Sequence, residues 1–119
     1  MKNYIYTKCV ICLGLNDKNS RRQEIETGAA FGILQNMLCS RFYGATVVNA
    51  SGIYTHADDG GQVCEASYMI VLYFVNRRQV CDFAGELCRV FNQESVTIEA
   101  TRRGLLGDRL TVEFFSPGE

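Results

Sequence analysis

Residues Ala45 to Val75, ATVVNASGIYTHADDGGQVCEASYMIVLYFV, hold two long runs rich in β-branched and aromatic side chains, separated by Ala57-Asp58-Asp59-Gly60-Gly61. Such runs favour extended backbone, and Asp59-Gly60 supplies the positive φ that a tight reversal needs, so the segment predicts a long antiparallel hairpin. Pairing His56 with Gln62 sets Tyr54 opposite Cys64, Gly52 opposite Ala66 and Ala50 opposite Tyr68. Side chains alternate along a strand. This register therefore assigns Val48, Ala50, Ala66, Tyr68, Ile70, Leu72 and Phe74 to the covered face. The opposite, open face receives Val47, Asn49, Ser51, Ile53, Glu65, Ser67, Met69, Val71 and Tyr73.

A lone hairpin is marginal in water, so its apolar face must be buried by other elements. Tyr4 to Leu15 is apolar on both faces, which predicts a strand in the middle of a sheet. Met1 and Lys2 precede this apolar patch, but Lys8 interrupts it and no small-x-small site follows, so a strand is expected and not a leader. After the polar turn Asn16-Asp17-Lys18-Asn19, Ser20 and Gln23 have capping-box spacing. They predict a helix to about Arg41 with a stripe of Ile25, Ala29, Ile33, Met37 and Phe42. Gly28 and Gly32 in that helix either admit a close neighbour or are tolerated. Asn76 with Gln79 opens a second helix carrying Val80, Ala84, Leu87 and Phe91. Ser95 to Thr101 alternates with Val96, Ile98 and Ala100 on one side, Gly104 to Asp108 turns, and Arg109 to Phe115 is a last strand for its predecessor or for another subunit.

The order β-α-β-β-α-β plus a C-terminal strand, over 119 residues read as a single domain, predicts an α+β ferredoxin-like sandwich. Two helices then cover one face of an antiparallel sheet, and right-handed crossovers put the first and third strands at its centre. The other face mixes aliphatic with polar groups, a composition that suits a subunit interface or a ligand platform, so a homo-oligomer is expected.

Charge narrows the function classes. Twelve Lys and Arg against thirteen Asp and Glu leave a net charge of −1, which gives no general attraction to nucleic acid or to an anionic membrane. No apolar run approaches the roughly 18 residues of a membrane span. The cysteines at 9, 12, 39, 64, 81 and 88 all lie within apolar runs, so they read as buried free thiols and the setting as cytoplasmic. Cys9 and Cys12, three apart on a strand, point to opposite faces and cannot chelate together. One histidine with scattered acids is too little for a metal centre, and no cofactor motif is present.

Two clusters carry chemistry. His56 sits beside Asp58 and Asp59 with Tyr54 two residues back, an arrangement able to serve a general base or a ligand contact. Arg21-Arg22, Arg77-Arg78 and Arg102-Arg103 form three pairs, the first two at expected helix starts, where guanidinium forks and amide N–H groups suit an anion. The ligand-binding candidates are Tyr54, His56, Glu65, Ser67, Arg77, Arg78, Arg102 and Arg103, with no catalytic residue assigned.

The set Gly44-Ala-Thr, Gly52-Ile-Tyr54-Thr-His56, Asp59-Gly60, Glu65-Ala-Ser67 and Phe91-Asn-Gln93-Glu-Ser95-Val96 resembles short bacterial and phage-borne domains of unassigned function. The resemblance spans Thr27 to Thr101, implies the ferredoxin-like fold and a phage origin, and brings no catalytic residue with it. The expected function is a non-catalytic homo-oligomer holding a small anionic or nucleotide-type molecule between subunits, for instance to sequester a host signalling nucleotide. The alternatives are a small dimeric enzyme with chemistry near His56 and Tyr54, and a purely structural interaction protein.

Overall fold

The computed structural model describes residues 3–118, so Met1 and Lys2, on which the leader reading partly turned, lie outside the described residues. Seven elements follow in chain order: β1 (Ile5–Gly14), α1 (Thr27–Arg41), β2 (Thr46–Thr55), β3 (Gln62–Asn76), α2 (Arg77–Val90), β4 (Val96–Gly104) and β5 (Gly107–Phe115). The strands form one antiparallel sheet in the order β2-β3-β1-β4-β5, compatible with a ferredoxin-like sandwich carrying a fifth strand on the β4 edge. The last strand pairs with its predecessor within the chain, from Gly104 opposite Gly107 to Val96 opposite Phe115.

Burial explains why β1 is central. Cys9, Ile11 and Leu13 face Leu72, Ile70 and Tyr68 across one ladder, and Cys9 and Ile11 face Ala100 and Ile98 across the other. All are buried, and Ala30, Leu34, Met37 and Leu38 of α1 with Val80, Phe83, Ala84, Leu87 and Cys88 of α2 close over them in one cluster. Each Leu, Ile, Val, Phe or Met among them contributes about 1.5–3 kcal/mol by leaving water. On the opposite face Val10 is buried by its strand neighbours but lies outside this cluster. Both helices thus cover the same face.

The second helix begins as its sequence predicts. The Asn76 side chain accepts from Gln79 N at 2.8 Å and Asn76 N donates to Gln79 Oε1 at 3.1 Å, a reciprocal cap. The first helix does not. Ser20 and Gln23 lie in a reversal closed by an Asn16–Gln23 bridge, and the helix starts six residues later behind Glu26, whose carboxylate accepts from Gly28 N and Ala29 N at 2.9 Å each. Asp17 accepts from Asn19 N and from Ser20 N, the amide that the Gln23 side chain was expected to hold, and the Gln23 amide instead donates forward to Ile25 O and Thr27 Oγ1. The buried stripe shifts accordingly to Ala30, Leu34, Met37 and Leu38, leaving Ala29 exposed and Ile25, Ile33 and Phe42 only partly covered. Of the two helical glycines, Gly28 leaves room for the Glu26 cap, whereas nothing lies within 4 Å of a Cβ at Gly32.

The hairpin closes one residue earlier than expected. His56 N donates to Gly61 O at 2.8 Å and Gly60, at φ 71°, donates to His56 O, so four residues form the loop and His56 stands opposite Gly61 instead of Gln62. The observed pairs are Tyr54 with Val63, Gly52 with Glu65 and Ala50 with Ser67. A one-residue slip turns a strand over. On β2 it is therefore Val47, Asn49, Ser51 and Ile53 that share the helix side, and Val48, Ala50, Gly52 and Tyr54 that share the open face with Glu65, Ser67, Met69, Val71 and Tyr73. Phe74, expected inside, is 74% exposed because its φ of 53° breaks the alternation before Val75.

The thiols are all free, but only Cys9, Cys81 and Cys88 are buried; Cys12 is half-buried and Cys39 and Cys64 are exposed, because α1 turns Cys39 outward and Cys64 lies near the start of β3 beside the hairpin loop. Burial pushes the Cys9 thiol up to about 12. Among the described residues no helix is long and apolar enough to cross a membrane.

In urea titrations Ile70→Ala should lower stability by about 2–5 kcal/mol, whereas Ile53→Ala, at a position 80% exposed, should change it by less than about 0.5 kcal/mol. Equal losses would contradict the register described.

Candidate functional site

Three connections converge at the end of the sheet where β1 finishes and β4 begins. Leaving Gly14, the chain reverses between Asp17 and Arg22: Asp17 Oδ1 accepts from Asn19 N at 2.8 Å and Ser20 N at 3.0 Å, and Arg21 N donates to Asp17 O at 2.8 Å. Arg21 sits in left-handed backbone at φ 63°, unusual for a residue with a Cβ. The α2–β4 turn locks onto this reversal. Asn92 Nδ2 donates to Asp17 Oδ2 and Asn19 Oδ1 at 2.8 Å each, and Gln93 Nε2 donates to Asn16 O at 2.7 Å. The hairpin tip completes the enclosure, with Arg21 paired to Asp58 and 3.6 Å from Asp59.

Between these connections lies a cleft of about 350 Å³ lined by Asn16, Asp17, Lys18, Arg21, Tyr54, His56, Glu65, Gln93, Glu94 and Ser95. Glu65 is set into the open face of the sheet. It stands directly opposite Gly52 on β2, and on its other side a Cβ at Gly14 of β1 would come within 2.6 Å of its Oε1. A Cβ at Gly52 would lie 3.1 Å from Ser67 Oγ and 3.4 Å from Glu65 Cγ. Two glycines on flanking strands thus leave the slot in which the carboxylate lies, and Asn16 N donates to its Oε2 at 2.8 Å.

Tyr54 stands on the same face, its ring edge-on to His56 at 5.5 Å between centroids. Burial and the nearby Glu65 charge push its phenol above the usual value, opposed by Asn16 and Arg21, so it is a neutral donor at pH 7. The lining carries carboxylates at Asp17, Glu65 and Glu94 against cations at Lys18 and Arg21. The Asn92 amide and the two turn N–H groups hold Asp17 below its ordinary range, and Arg21 does the same for Asp58. The cleft is therefore zwitterionic, with an aromatic wall.

The structure brings Tyr54, His56 and Glu65 together and leaves Ser67 one position inward on the same face, outside the lining. The arginine candidates are elsewhere. Arg77 Nη1 donates to Tyr6 Oη at 2.7 Å and Glu113 Oε1 at 2.9 Å, tying the start of α2 to β1 and β5, and its own charge is satisfied there. Arg78 is exposed, with its backbone N–H on Asn3. Arg102 stacks 4.1 Å over the Tyr4 ring and, with Arg103, borders a groove near Phe74. That groove lies at the opposite end of β1, about 30 Å away at the rise of a strand. No common anion site forms from the three pairs, and the first pair lies in the reversal, not at a helix start.

Asn16, Asp17, Gln93, Glu94 and Ser95 were not among the ligand-binding candidates read from the sequence. Gln93 and Ser95 belong to the Phe91–Val96 motif and Asn16 and Asp17 to the polar turn, but 77 residues separate Gln93 from its partner Asn16. Among the described residues no three His, Cys, Asp or Glu side chains converge on a metal-sized site.

Gly14→Ala should displace the Glu65 carboxylate and release its hold on the Asn16 amide. Exchange of that amide with solvent should accelerate at least about tenfold, the loss of a hydrogen bond to a charged group, with melting temperature within a few degrees of wild type because the displaced atoms end a flexible side chain. Unchanged exchange would contradict the glycine slot.

Comparison with known proteins follows the fold. No family model matches the chain, and no curated protein matches it. Among solved structures it is similar to a phage SAM lyase in complex with S-methyl-5'-thioadenosine, at 25% identity and a TM-score of 0.63, covering 92% of this chain and 88% of that one. It is also similar to a phage SAM lyase in the apo state, at 24% identity and a TM-score of 0.60, covering 97% and 94%.

Proposed function

We propose that the chain binds S-adenosylmethionine in the Tyr54–Glu65 cleft and cleaves it to S-methyl-5'-thioadenosine, the ligand held by the similar phage lyase. The observation that carries the reading is Glu65, recessed between Gly14 and Gly52 beside Tyr54, in a fold matched over most of both chains. A carboxylate and an aromatic wall suit a cationic adenosyl compound. Three carboxylates against two cations in the lining match a phosphate-rich nucleotide, the ligand class expected from the arginine pairs, less well than a zwitterionic tail.

The chemistry balances without a co-reactant. The bond between the sulfonium sulfur and Cγ of the amino-acid tail breaks with both electrons going to sulfur, which leaves as a neutral thioether and needs no proton. A lyase adds no water, and the Cβ protons have no acidifying group beside them. The substrate's own carboxylate oxygen therefore takes Cγ, closing a five-membered lactone. Charge on sulfur vanishes in the transition state, so a carboxylate held against it would favour the ground state. Glu65 is better used on the α-ammonium, which stays charged and whose grip sets the tail for ring closure. Tyr54 supplies a wall and a neutral O–H donor.

Incubation with S-adenosylmethionine should release S-methyl-5'-thioadenosine, followed by chromatography. Glu65→Gln keeps an acceptor for Asn16 N but removes the charge, and should lower kcat/KM about 100-fold, as expected when a reacting tail loses its orientation. Binding without turnover would favour the non-catalytic alternative, a protein that only retains the nucleoside. Absence of both binding and product would sink the proposal.

The open face supports self-association. Val48, Met69, Tyr73, Leu110, Val112 and Phe114 are exposed on it, an apolar surface drawn from three strands of the kind that marks an interaction site. We assign it to contact with further copies of the chain. Sedimentation should show an oligomer that Val112→Glu with Phe114→Glu dissociates; a monomer at the highest concentrations would count against it. The hairpin and Phe91–Val96 motifs support membership in the short phage-borne ferredoxin-like domains.

A further inference from the structure

The two ends of the cleft differ in what already occupies them. Glu65 has its slot at one end. At the other, Arg21 spreads its guanidinium over the Asp58 carboxylate, Nη2 on Oδ2 and Nη1 3.4 Å from Oδ1, with Asp59 Oδ2 3.6 Å from Nη1. Asp58 here presents the group that a ligand carboxylate would present: two oxygens facing a planar fork of donors.

Three features make this pair exchangeable. Its side chains are 45% and 58% exposed, and ion pairs so open to water are weak and readily replaced. Asp58 belongs to the loop at the hairpin tip, anchored only by its own turn. Arg21 belongs to the reversal that Asp17, Asn92 and Gln93 tie to the sheet, and its left-handed backbone directs it to the cleft instead of along a strand or helix. The guanidinium is thus fixed at its base, while its present partner is not.

We infer that Arg21 is a specificity residue that selects ligands carrying a carboxylate on the tail, giving up Asp58 to take it. This rests on the adenosyl-ligand reading above and adds which end of the ligand lies where: ammonium toward Glu65, carboxylate toward Arg21 and the hairpin tip. Lys18 also lines the cleft, but a single ammonium lacks the paired donors that Arg21 already directs onto two oxygens. A contact to the carboxylate is made before its charge is lost in ring closure, so Arg21 acts on substrate capture more than on the chemical step.

Two unreactive probes test this by calorimetry: S-adenosylhomocysteine, which has the amino-acid tail, and S-methyl-5'-thioadenosine, which lacks it. Arg21→Ala should weaken the first at least about tenfold, the scale of a lost charged hydrogen bond, and change the second less than twofold. Asp58→Asn, which removes the internal competitor, should tighten S-adenosylhomocysteine alone, a gain that misfolding cannot imitate. In turnover, Arg21→Ala should raise KM and leave kcat within a few-fold. If the wild type binds both probes but Arg21→Ala weakens both alike or neither, or if Asp58→Asn gains nothing, Arg21 is not the selector. If the wild type binds neither probe, the adenosyl-ligand reading falls and takes this assignment with it.

Discussion

The pairing of Gly52 with Glu65 sets the rest of the molecule in place. With that register Ala66, Tyr68, Ile70 and Leu72 face the helices, and Glu65 and Ser67 face away from them beside two positions without side chains. Shifted by one residue, β2 would turn Val48 and Ala50 inward and bring Ala66 opposite Gly52, closing the slot in which the carboxylate lies. A single set of ladder hydrogen bonds therefore serves both the core and the cleft.

The cleft walls are loops, yet they are held firmly by bonds between side chains and backbone. Asp17 gathers two amides and the Asn92 side chain, while Gln93 crosses to Asn16 O and Asn16 N reaches Glu65. These bonds satisfy polar groups that would otherwise compete for a ligand, and they bind segments from three distant parts of the chain into one rim. The Arg21–Asp58 pair instead joins two side chains that are 45% and 58% exposed and ties the rim to the hairpin tip alone. Rigid support with one loose ion pair is the arrangement expected where a charged ligand must displace an internal partner.

The two faces of the sheet have different fates for the same reason. Helices of 15 and 14 residues cover one side, and no element of the described chain crosses to the other. In the middle of that open side the charges are Lys8 and Glu99, among Val10, Met69, Val71 and Val112, while Glu65 lies toward the cleft and Arg103 with Asp108 toward the β4–β5 turn. The cleft opens at the margin of this surface, so anything that packs on the open side borders the cleft as well.

The element order, the α2 cap at Asn76, its stripe of Val80, Ala84, Leu87 and Phe91, and the central place of β1 were all legible in the amino-acid sequence, because each follows from local periodicity or from a pattern a few residues long. Tyr54, His56 and Glu65 were legible as polar groups on a hairpin that is otherwise apolar. The start of α1, the face of β2 and the dispersal of the arginines were not. Each was decided by a partner distant in sequence or by a few residues of turn geometry: Asp17 drew the amides of Asn19 and Ser20 into a turn and left Glu26 to cap α1, the four-residue loop inverted β2, and Tyr6 with Glu113 took Arg77 while Tyr4 took Arg102, arginines that spacing had offered to a ligand. Local propensity determined which segments are strands and helices. Only tertiary structure decided which side chains meet, because a cleft built from residues 77 apart has no short-range signature.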